Sequence, residues 1–205
     1  MKQITVVPGE AAPRVAALLA AAGWKASRKA ARADAGAEAA LDIVRRGDPV
    51  LAVPADAPVA ERLRRIVVVH KGSRGDRAGM DAADDAAVAS GAKIVVLHVP
   101  RTTPSSTTAS LPFRMADHGT YDWSEWREEF LRRFCRCSPG VRVELRAGAA
   151  TASMLRDQVR EERPDLVIVS GVRTFDAVRR AGPPVLAVPS VGNERATRRG
   201  QQISG

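Results

Sequence analysis

The turn that runs from Lys71 to Gly75 puts an ammonium, a guanidinium, a hydroxyl and two glycines side by side, in Lys71, Gly72, Ser73, Arg74 and Gly75. Such groups suit an anion. The cations attract it, and glycine lets backbone N–H groups come close to an oxyanion. Gly171 and Arg173 offer a second, smaller set of the same kind. The plainer reading of both is a solvated turn, and that alternative stays open. His98, within an apolar strand, reads as a core histidine, and His70, at the end of a strand, reads as facing the crevice; with His118 they lack the spacing of metal ligands. Cys135 and Cys137 are two apart on an expected helix, so they point in different directions. The sequence contains no G-x-S-x-G, no G-x-x-x-x-G-K and no G-x-G-x-x-G. Nothing pairs a nucleophile with a base, so an enzyme is not expected.

The elements that position these residues are legible from periodicity. "RIVVVH" (65–70) is a short β-branched run, as in a strand buried on both faces. Asp76 opens an expected helix through Ser90, and Gly91 ends it. "KIVVLHV" (93–99) is a second buried strand. "VRVELRAG" (141–148) alternates like an edge strand. Thr151 caps a helix that ends before Pro164. "DLVIVSG" (165–171) and "PVLAVP" (184–189) are further strands, with a short helix over 174–181 between them. Alternation of strand and helix predicts α/β architecture: an open parallel sheet sandwiched by helices. Residues 100–119 read as a long loop. Residues 121–137 read as a helix with an aromatic stripe at Trp123, Trp126, Phe130 and Phe134. Before Arg64 the pattern is a smaller α/β segment: strands over 3–7, 24–30 and 49–54, and helices over 13–22 and 36–46.

Two stretches nearly repeat. "DIVRRGDPVLAVP" begins at Asp42 and "DAVRRAGPPVLAVP" at Asp176. With Ala181 as a one-residue insertion, Ile43 faces Ala177 and Asp48 faces Pro183; the other 11 of 13 positions are identical. Each copy ends a helix in two arginines and enters the same apolar strand. A repeat implies shared architecture. An apolar strand left at a sheet edge aggregates unless it is paired. The strands at Val50–Val53 and Val185–Val188 are therefore expected to pair with each other, as an intramolecular pseudo-dimer, or with a second chain, as a homodimer. The expected division is residues 1–60 as a shortened, degenerate copy, 64–189 as the main domain, and 190–205 as a flexible basic tail.

The chain carries 32 basic against 23 acidic residues, a net charge of +9. That balance points to phosphate-bearing partners or simply to a basic solvated surface. RNA is an open partner through Lys25–Arg32 and the tail. No apolar run approaches the length of a membrane span. The first residues lack the apolar core of a secretory signal, so a cytoplasmic location is expected.

Residues 64–189 resemble the universal stress protein family, UspA-like. "RRIVVVHKGS", "LHV" at 97–99, "DLVIVSG" and "PVLAVP" carry the likeness, in the same order of strands and helices. The resemblance implies a five-stranded parallel sheet, dimerisation through the last strand, and a non-enzymatic role in the stress response through protein partners or a small ligand. Some members bind ATP. On that pattern the cofactor positions here are Lys71, Gly72, Ser73, Arg74, Val99, Gly171 and Arg173. Two departures matter. Lys71 stands where the ATP binders carry Asp. Only "VRTFDAVRRAGP" separates Gly171 from the final strand, too short for the family's phosphate loop. These departures lead to the expectation of no stoichiometric ATP; the alternatives are a nucleotide-binding, ATP-type sensor that acts through Lys71–Arg74, Val99 and Gly171, or a basic accessory protein docked on RNA or a larger assembly.

Overall fold

The computed structural model describes residues 2–7, 11–27, 37–58, 60–71, 76–99, 137–149 and 151–189. The loop at 100–119, the aromatic stripe, Cys135, His118, the turn residues Gly72, Ser73 and Arg74, and the tail lie outside them.

Eight strands form one sheet: β1 (Lys2–Val7), β2 (Trp24–Ala26), β3 (Val50–Ala52), β4 (Arg65–His70), β5 (Lys93–His98), β6 (Val143–Ala147), β7 (Leu166–Ser170) and β8 (Val185–Val188). Their spatial order is β2-β1-β3-β8-β7-β4-β5-β6. Among the described residues the helices are α1 (Ala12–Ala20), α2 (Ala37–Arg45), α3 (Arg77–Ser90), α4 (Ala152–Glu162) and α5 (Val172–Val178). Every neighbouring pair runs parallel except β3 with β8, which is antiparallel. The sheet is thus α/β, with helices on both faces, as the alternation predicts.

Side-chain alternation along each strand divides the core in two. Ile66, Val68, Ile94, Val96, Ile168 and Leu186 point to the face covered by α1 and α3. Val67, Val69, Val95, Leu97, Val167 and Val185 point to the face covered by α2, α4 and α5. Both faces are buried, so the central strands need apolar residues at every position. Each fully buried Val, Leu or Ile contributes roughly 1.5–3 kcal/mol relative to exposure. The sheet ends on two charged edges. Lys25 is exposed on β2, and on β6 Glu144 bonds both Lys93 and Arg146. Charge of this kind discourages pairing with a stray strand. The two cations also pull the Glu144 carboxyl below its ordinary value.

The repeated strands lie together in the middle of the sheet. β3 meets β8 with Val50 opposite Ala187, Leu51 opposite Leu186, and Ala52 opposite Val185. The sequence repeat makes Leu51 the counterpart of Leu186. The register therefore places equivalent residues face to face, as about a two-fold axis. The helices before the two strands, α2 and α5, also pack against each other. Both keep an Asp–Arg pair at the repeat's matching positions, Asp42 with Arg45 at 2.9 Å and Asp176 with Arg179 at 2.8 Å.

Helix ends follow the expected chemistry with one exception. The Thr151 hydroxyl accepts from the Met154 N–H at 3.3 Å. Gly91 takes a left-handed φ of 73° and donates to the Ala87 carbonyl, closing α3. Asp76, expected to cap α3, makes no side-chain cap bond. Its backbone is already helical (φ −75°, ψ −13°), whereas a capping carboxylate needs extended backbone to reach the N–H groups ahead.

Candidate functional site

Parallel strands bring their carboxyl ends to one edge of the sheet. His70 on β4 sits opposite His98 on β5, and Val69 opposite Val169 on β7. Lys71, Val99 and Gly171 follow directly, so three of the expected site residues share one edge. The Val99 N–H donates to the His70 carbonyl at 2.8 Å, extending the ladder by one residue. The Val99 side chain is buried among the residues under α4 and α5. Gly171 holds φ 87°, ψ 155°, which permits the abrupt change from β7 into α5, and Arg173 stands exposed on that helix's first turn.

Beneath this edge lies a buried polar group that sequence reasoning assigned differently. The Asp76 carboxylate accepts from the Lys71 N–H at 3.0 Å, and so ties the two ends of the 71–76 turn. The same oxygen is 3.9 Å from His70 Nδ1. Asp76 is 3 % exposed and His70 1 %. The His70 and His98 rings stand 5.9 Å apart, tilted by 43°. His70 was expected to face the crevice and His98 to sit in the core; the structure buries His70 and leaves His98 partly exposed. Burial pushes the His70 pKa down, opposed by the nearby Asp76 charge. Burial first, and then the neighbouring His70, push His98 down to about 4. Both rings are therefore neutral near pH 7 and act as packed polar groups. The hint in the sequence was an Asp five residues beyond a strand-ending His-Lys pair, a spacing that suits a turn clasp as well as a cap.

Close packing limits the space above β7. A Cβ on Gly79, in the first turn of α3, would lie 2.8 Å from the Ser170 Oγ. Only glycine lets the helix approach the strand end so closely. Cys137 is partly buried, and burial followed by Asp84 and Asp81 raises its thiol to about 11. A thiol held protonated at neutral pH is a poor nucleophile. Among the described residues, no cluster of His, Cys, Asp and Glu is placed to hold a metal.

An open sheet with helices on both faces and loops gathered at the strands' carboxyl ends defines the doubly wound α/β class. The profile of the universal stress protein family matches residues 62–189, and the chain belongs to that family. A universal stress protein from Archaeoglobus fulgidus DSM 4304 superposes with a TM-score of 0.51 at 14% identity, over 72% of this chain and 52% of that one. The chain thus spans about half the length of that structure. A functionally unknown protein from Pseudomonas aeruginosa PAO1 gives a TM-score of 0.52 at 12% identity, over 98% of this chain and 67% of that one. At these identities the likeness is one of fold. No curated protein sequence matches the chain. Among the described residues no helix is long and apolar enough to cross a membrane.

Proposed function

We propose that this universal stress protein works without catalysis in the cytoplasm, by engaging protein partners or a small ligand. Its shortened N-terminal copy takes the place that a second subunit would occupy. The observation that carries this reading is the β3–β8 register, in which Leu51 and Leu186, equivalent in the repeat, face each other. An isologous contact between two chains has that symmetry. Made within one chain, it leaves no free edge on β8 for another copy. The protein is then a monomer built as a pseudo-dimer.

ATP of the kind bound by some relatives is not part of the proposal. Between Gly171 and β8 the chain is taken up by α5 and a short turn, with no length left for a glycine-rich phosphate loop. Lys71 supplies a cation where an acidic acceptor is expected. Native mass spectrometry of the purified protein tests both points. The expected result is the mass of one chain without stoichiometric ATP. A two-chain mass, or one tightly held ATP per chain, would overturn the reading.

A further inference from the structure

A cavity of about 590 Å³ opens where the two copies meet, away from Lys71 and Gly171. Its floor is apolar and includes Val7, Val53 and the fully buried Phe175. Its lining also includes three arginines, Arg160, Arg179 and Arg180, against one acidic residue, Asp56.

The position follows from topology. α1, between β1 and β2, packs on one face of the sheet, and α2, between β2 and β3, packs on the other. With the order β2-β1-β3, the crossovers part between β1 and β3. In open α/β sheets, a crevice forms outside the carboxyl ends of strands at such a switch point. Val7 ends β1, Ala52 ends β3 and Val53 follows it; all three line the cavity. The opposite wall comes from the C-terminal copy, where α4 and the turn after α5 supply the arginines.

Those arginines are held in place. Arg160 donates from Nε to the Ala181 carbonyl and from Nη2 to the Arg180 carbonyl, each at 3.2 Å. These bonds fix the turn that presents Arg179 and Arg180, and the remaining Arg160 nitrogen, Nη1, donates to Asp157 at 3.0 Å. The carboxylates paired with the arginines point outward: Asp157 is 64% exposed and Asp176 55%, while the Arg179 side chain is 4% exposed. Solvent screens Asp176 more than the buried Arg179 that it faces, whereas Arg160 and Asp157 are exposed alike. With Arg160, Arg179 and Arg180 against Asp56 alone, the residues lining the cavity favour negative charge. Guanidinium groups match phosphate oxygens in pairs, and the volume suits a small molecule.

We infer that this interface cavity binds a small phosphorylated molecule, its phosphoryl group on Arg179 and Arg180 and its apolar portion against Val53 and Phe175. The inference rests on β3 and β8 pairing within one chain, because each copy supplies a wall.

Calorimetric titration of the full chain with inorganic pyrophosphate, at constant ionic strength, tests it. Saturable binding at one site per chain is expected. Arg180 is exposed, so Arg180→Glu is compatible with folding, and it should weaken binding by about tenfold or more, equal to about 1.4 kcal/mol. Asp56→Asn removes the opposing charge and should tighten binding, a direction that misfolding cannot imitate. Arg14→Glu, exposed on α1 and outside the cavity lining, should leave binding unchanged. Absence of saturable binding, indifference to Arg180→Glu, or equal loss with Arg14→Glu would overturn the inference. A two-chain mass would instead count against the intrachain pairing, whatever the titration shows.

Discussion

Replacing Leu51 with Ala probes the docking of the N-terminal segment at the centre of the β3–β8 contact. Leu51 and Leu186 are both 0 % exposed, directly opposed on β3 and β8, and part of the same core under α1 and α3. Removing a buried leucine side chain down to Cβ loses its transfer energy and leaves a void, a cost of about 2–5 kcal/mol. Leu186→Ala should cost the same order. Because the two side chains share a site, the second truncation enlarges a void already made. The double variant should therefore fall short of the sum, with a coupling of about 0.5–3 kcal/mol. Equilibrium urea unfolding, followed by far-ultraviolet dichroism, supplies the four free energies. With a denaturant slope of about 2 kcal/mol per molar, a loss of ~3 kcal/mol moves the midpoint by roughly 1.5 M. A cost below ~0.5 kcal/mol for Leu51→Ala would mean that β3 does not support the fold. Strict additivity would mean that the two leucines do not meet. Either result refutes the reasoning.

Two other outcomes follow from the strand-end geometry. Gly79→Ala, which would ordinarily stabilise a helix by about 0.5–1 kcal/mol, should instead destabilise by roughly 1–3 kcal/mol, because its Cβ meets the Ser170 Oγ at 2.8 Å. In a Ser170→Ala background the next atoms are 3.9 Å away and most of that penalty should vanish, so an equal penalty in both backgrounds would contradict the packing. His98 and His70 have folded-state pKa values below their ordinary value of 6.5, so the unfolded chain takes up protons first as pH falls. Stability should thus be full above about pH 6.5 and decline toward the His98 value of about 4, and His98→Gln should remove part of that decline in urea midpoints; a pH-independent midpoint would sink this account.

Most of the fold was readable because both faces of the central sheet are buried. That demand writes continuous Val, Ile and Leu runs into β4, β5, β7 and β8, and these stand out against the polar turns. The weak elements were those where packing outside the segment decides. Among the described residues of "WKASRKA", the strand runs over Trp24–Ala26, which pair with Lys2 to Ile4 on β1. The last helix begins at Val172, earlier than expected, because Gly171 turns the chain at once and Phe175 anchors the helix in the core. At the strand edge, sequence order was enough to gather Lys71, Val99 and Gly171. It could not reveal that Asp76 folds back on Lys71, since cap and clasp differ by one backbone dihedral. The interface cavity was equally hidden. Its arginines lie more than a hundred residues from Val7, Ala52 and Val53, and the two sets are joined only once β3 lies against β8.

The pairing of β3 with β8 inside one chain is tested most directly by a cross-link between opposed residues. Ala52→Cys and Val185→Cys introduce thiols at facing positions. Cys135→Ser and Cys137→Ala remove the native ones. After mild oxidation, non-reducing electrophoresis and mass spectrometry should show a single chain, lighter by two hydrogens, with a peptide linking residues 52 and 185. Covalent two-chain species, or free thiols at both positions, would contradict it.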